Sequence, residues 1–446
     1  MRLISSRDPR HQVSFKEAVL RNLPDDGGHG GLFVPAELRP WPDVAALLER
    51  PWTERCATIL DRLIDGEYGR PELDAIAGEA FDFPVPLAEA AHGSLALELF
   101  HGPSLAFKDF GARFLAAVLG RLPATGGGTR TVLTATSGDT GAAVAAAFWR
   151  RPGFRVAVLY PQGPQGPRGP QGQQGRISPL QERQIACLGD NVRSFAVAGS
   201  FDDCQRLVKV CFADRALSAD LGLVSANSIN VARLLAQVLY YFEAVALLRR
   251  LHPDCQPVIA VPSGNFGNLC AGLYARALGL PIRALVAATN ANRTVPDYLD
   301  GGGYTPRPSV ATLSNAMDVG DPSNWERILH LYGRDRAALR GALRWGSADE
   351  AATVAALREL WAAGYRADPH GAVAYQVLRQ VLRPGETGLF LATAHPAKFH
   401  SALARLGLEP ALPPALAALL HRPLRAEPIS PDPAQLAARM REAWPA

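Results

Sequence analysis

The sequence predicts an α/β protein with two parallel-sheet domains and a helical N-terminal region. From about residue 130, short apolar and β-branched segments alternate with longer helical segments, which is typical of a parallel sheet covered on both faces. Several of the apolar segments end in small-residue turns that open a helix, as in TATSGDTG at 134–141 and VPSGNFGN at 261–268. The length of 446 residues is enough for two or three domains.

The first 95 residues are predicted to form the N-terminal region. Apolar residues recur there at helical spacing, so we expect helices over residues 15–23, 43–48, 54–64 and 72–80. The glycines of the loop at 25–35 permit a tight path between the first two helices. We expect residues 96–446 to form the larger region, with a smaller α/β subdomain at about 120–245.

The elements of the larger region follow in order. Strands are expected over residues 131–136, 155–160, 193–197, 221–225, 257–261, 282–289 and 388–394. Helices are expected to start after the turn at 137–141 and over residues 201–216, 231–251 and 269–278. In such sheets, ligands bind beyond the carboxyl ends of the strands, where the N–H groups of the next helix point.

Composition and charge favour a protein that acts on a small molecule. The net charge of +4 is spread along the chain, whereas a nucleic-acid surface needs clustered Lys and Arg. The N-terminus lacks the apolar region of a signal peptide, and no uncharged apolar run approaches the ~20 residues that cross a bilayer. We therefore expect a cytoplasmic protein, either a monomer or a homodimer, with no nucleic-acid or membrane partner.

Cysteine and histidine spacing gives no indication of a metal site. The six cysteines are irregularly spaced without a CxxC pair, so we expect free thiols in a reducing compartment. The ten histidines show no HExxH or similar ligand spacing. We expect no metal cofactor.

One segment departs from the α/β pattern. Residues 161–175 read PQGPQGPRGPQGQQG, in which glycine occupies every third place. A collagen triple helix needs three chains and many more triplets. We therefore interpret this Gly-X-Y segment as a solvated, polyproline-like loop, with partner binding as the alternative.

A lysine flanked by aromatic residues is the sharpest chemical signal. In ELFHGPSLAFKDFG (98–111), Lys108 stands between Phe107 and Phe110 after a turn of small residues. Desolvation lowers the pKa of a lysine, and its free amine can then attack an aldehyde to form a Schiff base. An ordinary helix lysine beside core aromatics is the structural alternative.

Two turns are candidate anion sites. In TATSGDTG, the backbone N–H groups and the hydroxyls of Ser137 and Thr140 are predicted to face a carboxylate or phosphate. The same groups can simply cap the helix. The turn in VPSGNFGN can cradle a phosphate, although many glycine-rich turns only connect two elements.

A fourth motif, ATAHPAKF (392–399), follows the last predicted strand. That strand is expected to end near Thr393, and Pro396 is expected to start a helix. His395 could serve as a general base, but we interpret it as a structural histidine. The GxGxxG fingerprint is absent from these turns, which argues against a dinucleotide oxidoreductase.

Together these motifs resemble those of the threonine synthases, a family of the tryptophan-synthase-β-like class of pyridoxal-phosphate enzymes. The resemblance runs in order along nearly the whole chain. It is carried by QVSFKEAV, GGLFVP, ELFHGPSLAFKDFGARF, TATSGDTGAAV, ISPLQERQ, SANSIN, VPSGNFGNL, AATNANRTVP, ATLSNAMDVGDPSNWER and ATAHPAKF. It implies the fold of that class, pyridoxal 5′-phosphate as cofactor, and conversion of O-phospho-L-homoserine and water to L-threonine and phosphate.

The resemblance also implies roles for individual residues. Lys108 matches the lysine that holds the cofactor and moves protons on the substrate. The cofactor phosphate is matched to the backbone of Gly264, Asn265, Phe266, Gly267 and Asn268, and Thr393 to the hydroxyl that faces the pyridine nitrogen. The substrate carboxylate is matched to Ser137, Gly138, Asp139 and Thr140. Asp139 stands where many relatives of the wider class have Asn near the cofactor 3′-oxygen.

The substrate phosphate is a dianion that needs donors and cations. We expect Asn227, Ser228 and Arg233 in SANSINVAR to bind it, with Arg176 and Ser178 as further candidates. The structural alternative is an N-cap at the start of the long helix.

The main departure from the family is the Gly-X-Y segment. Removing residues 164–175 leaves YPQGRISPLQ, the uninterrupted form that the family shows.

Two other functions remain open on the sequence. A related pyridoxal-phosphate phospholyase or a serine/threonine dehydratase would release 2-oxobutyrate instead of threonine. A catalytically silent scaffold that presents the Gly-X-Y segment is the alternative from another class.

Overall fold

A computed structural model describes residues 2–123, 128–162 and 177–444 of the chain. Within these ranges the strands are β1 (Leu3–Ser5), β2 (Phe33–Pro35), β3 (Leu87–Glu89), β4 (Leu95–Glu98), β5 (Arg130–Ala135), β6 (Phe154–Pro161), β7 (Val192–Val197), β8 (Leu223–Ser225), β9 (Val258–Pro262), β10 (Ala284–Thr289), β11 (Leu343–Ser347), β12 (Gly388–Ala392) and β13 (Ala426–Ile429).

Helices alternate with these strands. They are α1 (Phe15–Arg21), α2 (Val44–Leu48), α3 (Trp52–Leu63), α4 (Arg70–Ala80), α5 (Lys108–Leu119), α6 (Asp139–Phe148), α7 (Pro179–Ala186), α8 (Phe201–Ala213), α9 (Arg215–Asp220), α10 (Val231–Leu251), α11 (Gly267–Ala277), α12 (Thr294–Leu299), α13 (Trp325–Leu331), α14 (Arg336–Ala342), α15 (Glu350–Ala362), α16 (Pro369–Val381), α17 (His400–Ala404), α18 (Pro414–Leu420) and α19 (Pro433–Ala443).

Two larger sheets organise the molecule. One has the strand order β11-β10-β9-β12-β4-β3 and is parallel except for the antiparallel edge strand β3. The other has the order β13-β7-β6-β5-β8 and is parallel throughout. Strands β1 and β2 form a small antiparallel pair. The predicted fold class, α/β with two parallel sheets and a helical N-terminal region, is confirmed.

One continuous core joins the two sheets. It contains Val132 and Val156 of the five-stranded sheet, Ile259 and Leu389 of the six-stranded sheet, and the buried faces of α5 and α10. The outer face of each sheet is covered separately, by α15 and α16 on one and by α8 and α19 on the other. Among the described residues, only α10 is long and apolar enough to cross a bilayer, and nearly all of it is buried in this core.

Several boundaries differ from those predicted. Helix α8 stops at Ala213 because Asp214 is extended and caps α9 with its side chain. Strand β8 starts at Leu223 because Gly222 has a positive φ of 57°. Strand β6 runs through Pro161, so the first residue of the predicted Gly-X-Y segment belongs to a strand, and residues 163–175 lie outside the described ranges.

The strands β1, β2, β3, β4, β11 and β13 were not predicted. All six are short, and several pair with distant partners: β13 adds to the edge of β7 from more than 200 residues further along the chain. The division at residue 95 stays a prediction, although β3 and β4 on either side of it share one sheet.

Candidate active site

The predicted motifs meet at the carboxyl ends of the parallel strands. Strand β5 ends before the SGDTG turn, β8 at the first residue of SANSIN, β9 before SGNFGN and β12 before Thr393. Strand β4 ends before the segment that leads to Lys108. Since parallel strands direct their carboxyl ends to the same edge, the two sheets bring these segments into one cleft.

Lys108 is the first residue of α5 and lies beside the end of β12. The N–H of Phe107 donates to the carbonyl of Thr393 at 2.8 Å, and the N–H of His395 donates to the carbonyl of Leu105 at 3.0 Å. This pairing of the two segments fixes where the lysine side chain starts. Thr393 itself is buried, and its role toward a cofactor stays a prediction.

The electrostatic environment of Lys108 favours its neutral amine. Burial lowers the pKa of Lys108 to about 8, against the attraction of Asp139 and with further lowering by Arg233 and Lys398. The side chain keeps part of its surface open to the cleft. A lysine in this state is a nucleophile and a base near neutral pH.

Asp139 is buried at the start of α6 and is held by two donors. Its Oδ1 accepts from Lys398 Nζ at 2.9 Å and from Gln181 Nε2 at 2.9 Å. Burial acts to raise the pKa of Asp139, but Lys398, Lys108 and these hydrogen bonds hold it well below its usual range. Asp139 is therefore an anion whose charge is already paired.

Lys398, Gln181 and Asp109 are parts of the site that the sequence reasoning missed. Lys398 is fully buried and also donates to the carbonyl of Ser104 at 2.6 Å. Asp109 accepts from the N–H of Ser104 at 2.9 Å, and burial raises its pKa to about 6. The signal was present, because Lys398 lies in ATAHPAKF and Gln181 in ISPLQERQ.

The residue before the SGDTG turn, Thr136, provides its cap. The hydroxyl of Thr136 accepts from the N–H groups of Gly138 and Gly141 at 2.9 and 2.8 Å. Capping therefore does not occupy the hydroxyls of Ser137 and Thr140, which are only partly buried. Gly138 has a φ of 136°, and a Cβ there would lie 2.6 Å from the side chain of Gln181.

Two asparagine side chains tie the SGNFGN turn to its neighbours. Asn265 donates to Ser228 Oγ at 2.6 Å and accepts from the N–H of Ser323 at 2.6 Å, and Asn268 donates to the carbonyl of Pro262 at 2.7 Å. Phe266 takes a left-handed φ of 59° just before α11 begins at Gly267. The N–H of Leu269 donates to Asn268 Oδ1 at 2.9 Å, and the N–H groups that precede it in the turn are at the helix start, where an anion can bind.

Gly264 lies against a second segment of the cleft. A Cβ at Gly264 would come within 2.7 Å of the Cα of Met317 and 2.8 Å of the carbonyl oxygen of Ala316. The N–H of Ala316 in turn donates to Nε2 of the buried His370, whose Nδ1 pairs with Asp368 at 2.5 Å. The close approach explains why glycine is required in this turn.

The predicted phosphate-binding residues share the same cleft. Arg233 is buried on α10, with Nη1 donating to the carbonyl of Ala226 at 2.6 Å and Nε without a partner among the described residues. Burial lowers the pKa of Arg233 to about 10. Asn227 accepts from Thr134 Oγ1 at 3.3 Å, and Ser228 joins it to the SGNFGN turn.

Two remaining candidates are engaged elsewhere or not described. Ser178 caps α7 and donates to the carbonyl of Lys398 at 2.9 Å, so its hydroxyl serves the structure. Arg176 lies outside the described residues. Burial lowers the pKa of His395 to about 4, and its Nδ1 accepts from the N–H of Ala397, as suits a structural histidine.

Comparison with known proteins identifies the family. The model of the pyridoxal-phosphate dependent enzymes matches residues 86–393, and that of the threonine synthase C-terminal domain matches residues 371–439. A threonine synthase of Haemophilus influenzae is 48% identical over 439 residues, which cover 98% of this chain and 99% of the relative.

Solved structures agree with this assignment. The crystal structure of threonine synthase from Escherichia coli superposes with a TM-score of 0.89 at 45% identity, covering 99% of this chain and all of that one. A pyridoxal-phosphate-bound threonine synthase from Brucella melitensis gives a TM-score of 0.89 at 33% identity, with both chains fully covered. The chain therefore belongs to the threonine synthase family of the pyridoxal-phosphate-dependent enzymes.

Proposed function

We propose that this chain converts O-phospho-L-homoserine and water to L-threonine and inorganic phosphate. The observation that carries the proposal is Lys108, a partly exposed residue with a lowered pKa near three segments that we propose to bind anions. An amino acid that carries both a carboxylate and a phosphate, reacting on a phosphorylated cofactor, needs three such segments. The chain offers the SGDTG turn, the SGNFGN turn and the start of α10.

The residues present fit pyridoxal phosphate. Lys108 would hold the cofactor through its amine, and the backbone of Gly264, Asn265, Phe266, Gly267 and Asn268 would hold its phosphate. Met317 packs so closely on Gly264 that a Cβ there would lie 2.7 Å from the Met317 Cα. Thr393 would place a neutral hydroxyl against the pyridine nitrogen. When bound, pyridoxal phosphate supplies an electron sink for negative charge at the substrate Cα.

Lys108 is proposed to move the protons of the reaction. With a pKa of about 8, the amine exchanges a proton readily at neutral pH and can take one from the substrate Cα. A proton then leaves Cβ and phosphate departs from Cγ. A proton adds at Cγ to form the methyl group, the hydroxyl of water adds at Cβ, and a proton returns to Cα to complete threonine. The overall change is loss of one phosphate and gain of one water.

The substrate carboxylate is proposed to bind at the start of α6. Ser137 and Thr140 have hydroxyls that capping does not occupy, because Thr136 accepts from the N–H groups of Gly138 and Gly141. The start of a helix also favours an anion. Asp139 does not repel the carboxylate as a free anion would, because its charge is paired with Lys398.

The substrate phosphate is proposed to bind Asn227, Ser228 and Arg233. The guanidinium of Arg233 is buried, and among the described residues it bonds only to the carbonyl of Ala226. This is unusual, because burying a charge without a counter-ion is unfavourable. A phosphate dianion would supply that counter-ion.

The direct test is a two-product assay with O-phospho-L-homoserine. We expect phosphate and L-threonine to appear in equal amounts. Formation of 2-oxobutyrate with phosphate would instead indicate a phospholyase, and inactivity toward phosphohomoserine together with turnover of L-threonine would indicate a dehydratase. Absence of any turnover by protein loaded with cofactor would favour a scaffold.

We further propose that the chain works in the cytoplasm as a monomer or a homodimer. Its substrate is small, highly charged and confined to aqueous compartments, which suits this location. Analytical ultracentrifugation of the purified chain measures the assembly state, and a sedimenting species larger than a dimer would contradict the proposal.

A further inference from the structure

Lysine is rare in this chain, and two of its four lysines lie in the cleft. Among 46 basic residues only Lys16, Lys108, Lys209 and Lys398 are lysines. Lys209 is exposed on α8, and Lys16 donates to the carbonyl of Glu67 at 2.7 Å. Lys108 and Lys398 flank the same carboxylate, that of Asp139.

Lys398 has no surface open to solvent and connects three parts of the cleft. Its Nζ donates to Asp139 Oδ1 at 2.9 Å and to the carbonyl of Ser104 at 2.6 Å. Ser104 belongs to the segment that leads to Lys108, and Asp109 fixes the N–H of the same residue. Lys398 therefore holds both the carboxylate beside Lys108 and the backbone that carries Lys108.

The charge state of Lys108 depends on whether another cation already neutralises the buried carboxylate of Asp139. Without Lys398, Asp139 would be a buried anion whose nearest cation is Lys108, and Lys108 would keep its proton to neutralise it. With Lys398 in place, the carboxylate is already neutralised, and Gln181 Nε2 fixes it from a second direction at 2.9 Å.

We propose that Lys398 is a positioning residue for the reaction, which neutralises and orients the Asp139 carboxylate so that Lys108 can stand as a free amine. The proposal rests on the function proposed above for Lys108. It also answers how the family's acidic residue at 139 is accommodated where relatives of the wider class have Asn: the pair of Asp139 and Lys398 is neutral overall, as an amide is.

The charged groups around the two lysines differ in their effect on Lys108. Asp139 on α6, Arg233 on α10 and Lys398 are the groups that act on Lys108. Lys398 itself faces Asp139 and Asp109 and acts on His395. Of these groups, Asp139 is the only one that favours the charged form of Lys108. Removing Lys398, the counter-ion of Asp139, should therefore raise the pKa of Lys108.

The scarcity of lysine makes a direct measurement possible. The full-length chain is labelled with lysine carrying ¹³C at Cε, the cofactor is removed, and the four lysine signals are followed by NMR as pH is raised. Lys16 and Lys209 serve as internal controls. The variants are Lys398→Met, which keeps an unbranched side chain one atom shorter and without the charge, and the double variant Asp139→Asn with Lys398→Met, which removes both charges.

In Lys398→Met we expect the midpoint of Lys108 to rise by about 1 pH unit or more, as for an amine beside an unopposed carboxylate. In the double variant the midpoint should return to within about 0.5 of the wild type, while the control lysines do not move. A folded Lys398→Met protein in which Lys108 titrates as in the wild type would overturn the proposal. If Lys398→Met does not fold, a double variant whose Lys108 midpoint differs from the wild type by more than about 1 pH unit overturns it instead.

The cofactor-loaded enzyme provides a second readout. The absorbance of the lysine-bound cofactor depends on protonation of the lysine nitrogen, so its pH titration should shift upward in Lys398→Met and return in the double variant. Threonine formation by the wild-type enzyme tests the proposed function separately, so failure of one idea is distinguishable from failure of the other.

Discussion

At the scale of single residues, the cleft is organised around buried charge. Lys108, Asp139 and Lys398 form a chain of alternating sign, and Arg233 adds a further cation with no carboxylate partner among the described residues. Buried charges are tolerated when they are paired or await a charged ligand. The excess of positive charge therefore suits a site that receives two phosphates and a carboxylate.

Replacement of Lys108 by Ala should abolish both colour and turnover. Lys108 has a lowered pKa and is partly exposed at the start of α5. We expect the purified wild-type protein to be yellow, and Lys108→Ala to lose that absorbance band and to form no detectable threonine. Lys209→Ala, on the exposed face of α8, is the control and should retain both. Normal threonine synthesis by Lys108→Ala would refute the assignment.

Asp109 gives a prediction about stability and pH. Burial raises the pKa of this carboxyl from 3.8 to about 6, so its protonated form favours the folded state. Its contribution is complete below about pH 4 and is lost as pH rises through about 6, which corresponds to at most ~3 kcal/mol of unfolding free energy. In Asp109→Asn this pH dependence should disappear.

The measurement is the unfolding free energy of wild type and Asp109→Asn from pH 4.5 to 7.5. The unfolding free energy of the variant, relative to that of the wild type, should rise with pH. A constant difference caused by the substitution itself does not affect this trend. Asp61→Asn, on the exposed part of α3, should run parallel to the wild type. Parallel curves for Asp109→Asn as well would mean that Asp109 is ionised throughout the range.

At the scale of elements, the site depends on turns that end a strand and begin a helix. Each such turn places unpaired N–H groups at the carboxyl edge of a sheet. Gly138 and Gly264 are the points where these turns touch another segment, because a Cβ on either one would collide with a neighbour. The shape of the turn is thus set by contacts outside it.

Gly264→Ala should weaken cofactor binding at least tenfold. The added Cβ meets backbone atoms of Met317 and Ala316, which cannot rotate away as a side chain would, so the SGNFGN turn has to shift. Equilibrium titration with pyridoxal phosphate, followed by absorbance, measures the loss. Gly78→Ala is the control: nothing lies within 4 Å of its Cβ, and it should stabilise α4 by about 0.5–1 kcal/mol with unchanged cofactor affinity. Equal affinities in the two variants would contradict the prediction.

The sequence predicted the elements that depend on neighbouring residues and missed those that depend on distant contacts. The helix 231–251 was predicted with its observed bounds, and the turns around Ser137 and Asn265 were recognised because small residues there follow a strand directly. Lys398 reaches Asp139 across 259 residues, and β13 joins β7 from the far end of the chain. Such contacts leave no periodic trace, so only the fold reveals them.

At the scale of the whole molecule, the N-terminal region braces the segment proposed to bind the substrate phosphate. Arg327 is fully buried and donates to the carbonyls of Phe33 at 3.0 Å and Ile229 at 2.6 Å. Asn230 donates to the carbonyl of Val19 at 3.1 Å. The first 35 residues therefore hold the SANSIN turn in place, although they contribute no residue to the proposed chemistry.

The Gly-X-Y segment precedes, in the sequence, a helix that contacts the cleft. It is followed by α7, whose capping box uses Ser178 and Gln181. Gln181 also holds Asp139, so any strain that displaced the start of α7 would reach the cleft.

Deleting residues 164–175 should nevertheless leave fold and activity largely intact, because the deletion restores the continuous YPQGRIS junction and keeps the capping box. Loop-closure entropy changes by only about 0.6 kcal/mol per doubling of length, so a small gain in stability is expected. The lost prolines offset part of it, since they restrict the unfolded chain. Thermal unfolding and steady-state kinetics with O-phospho-L-homoserine are the measurements. A KM raised tenfold or more in a folded deletion variant would mean that the segment belongs to the substrate site, and its interpretation as a solvated loop would then be wrong.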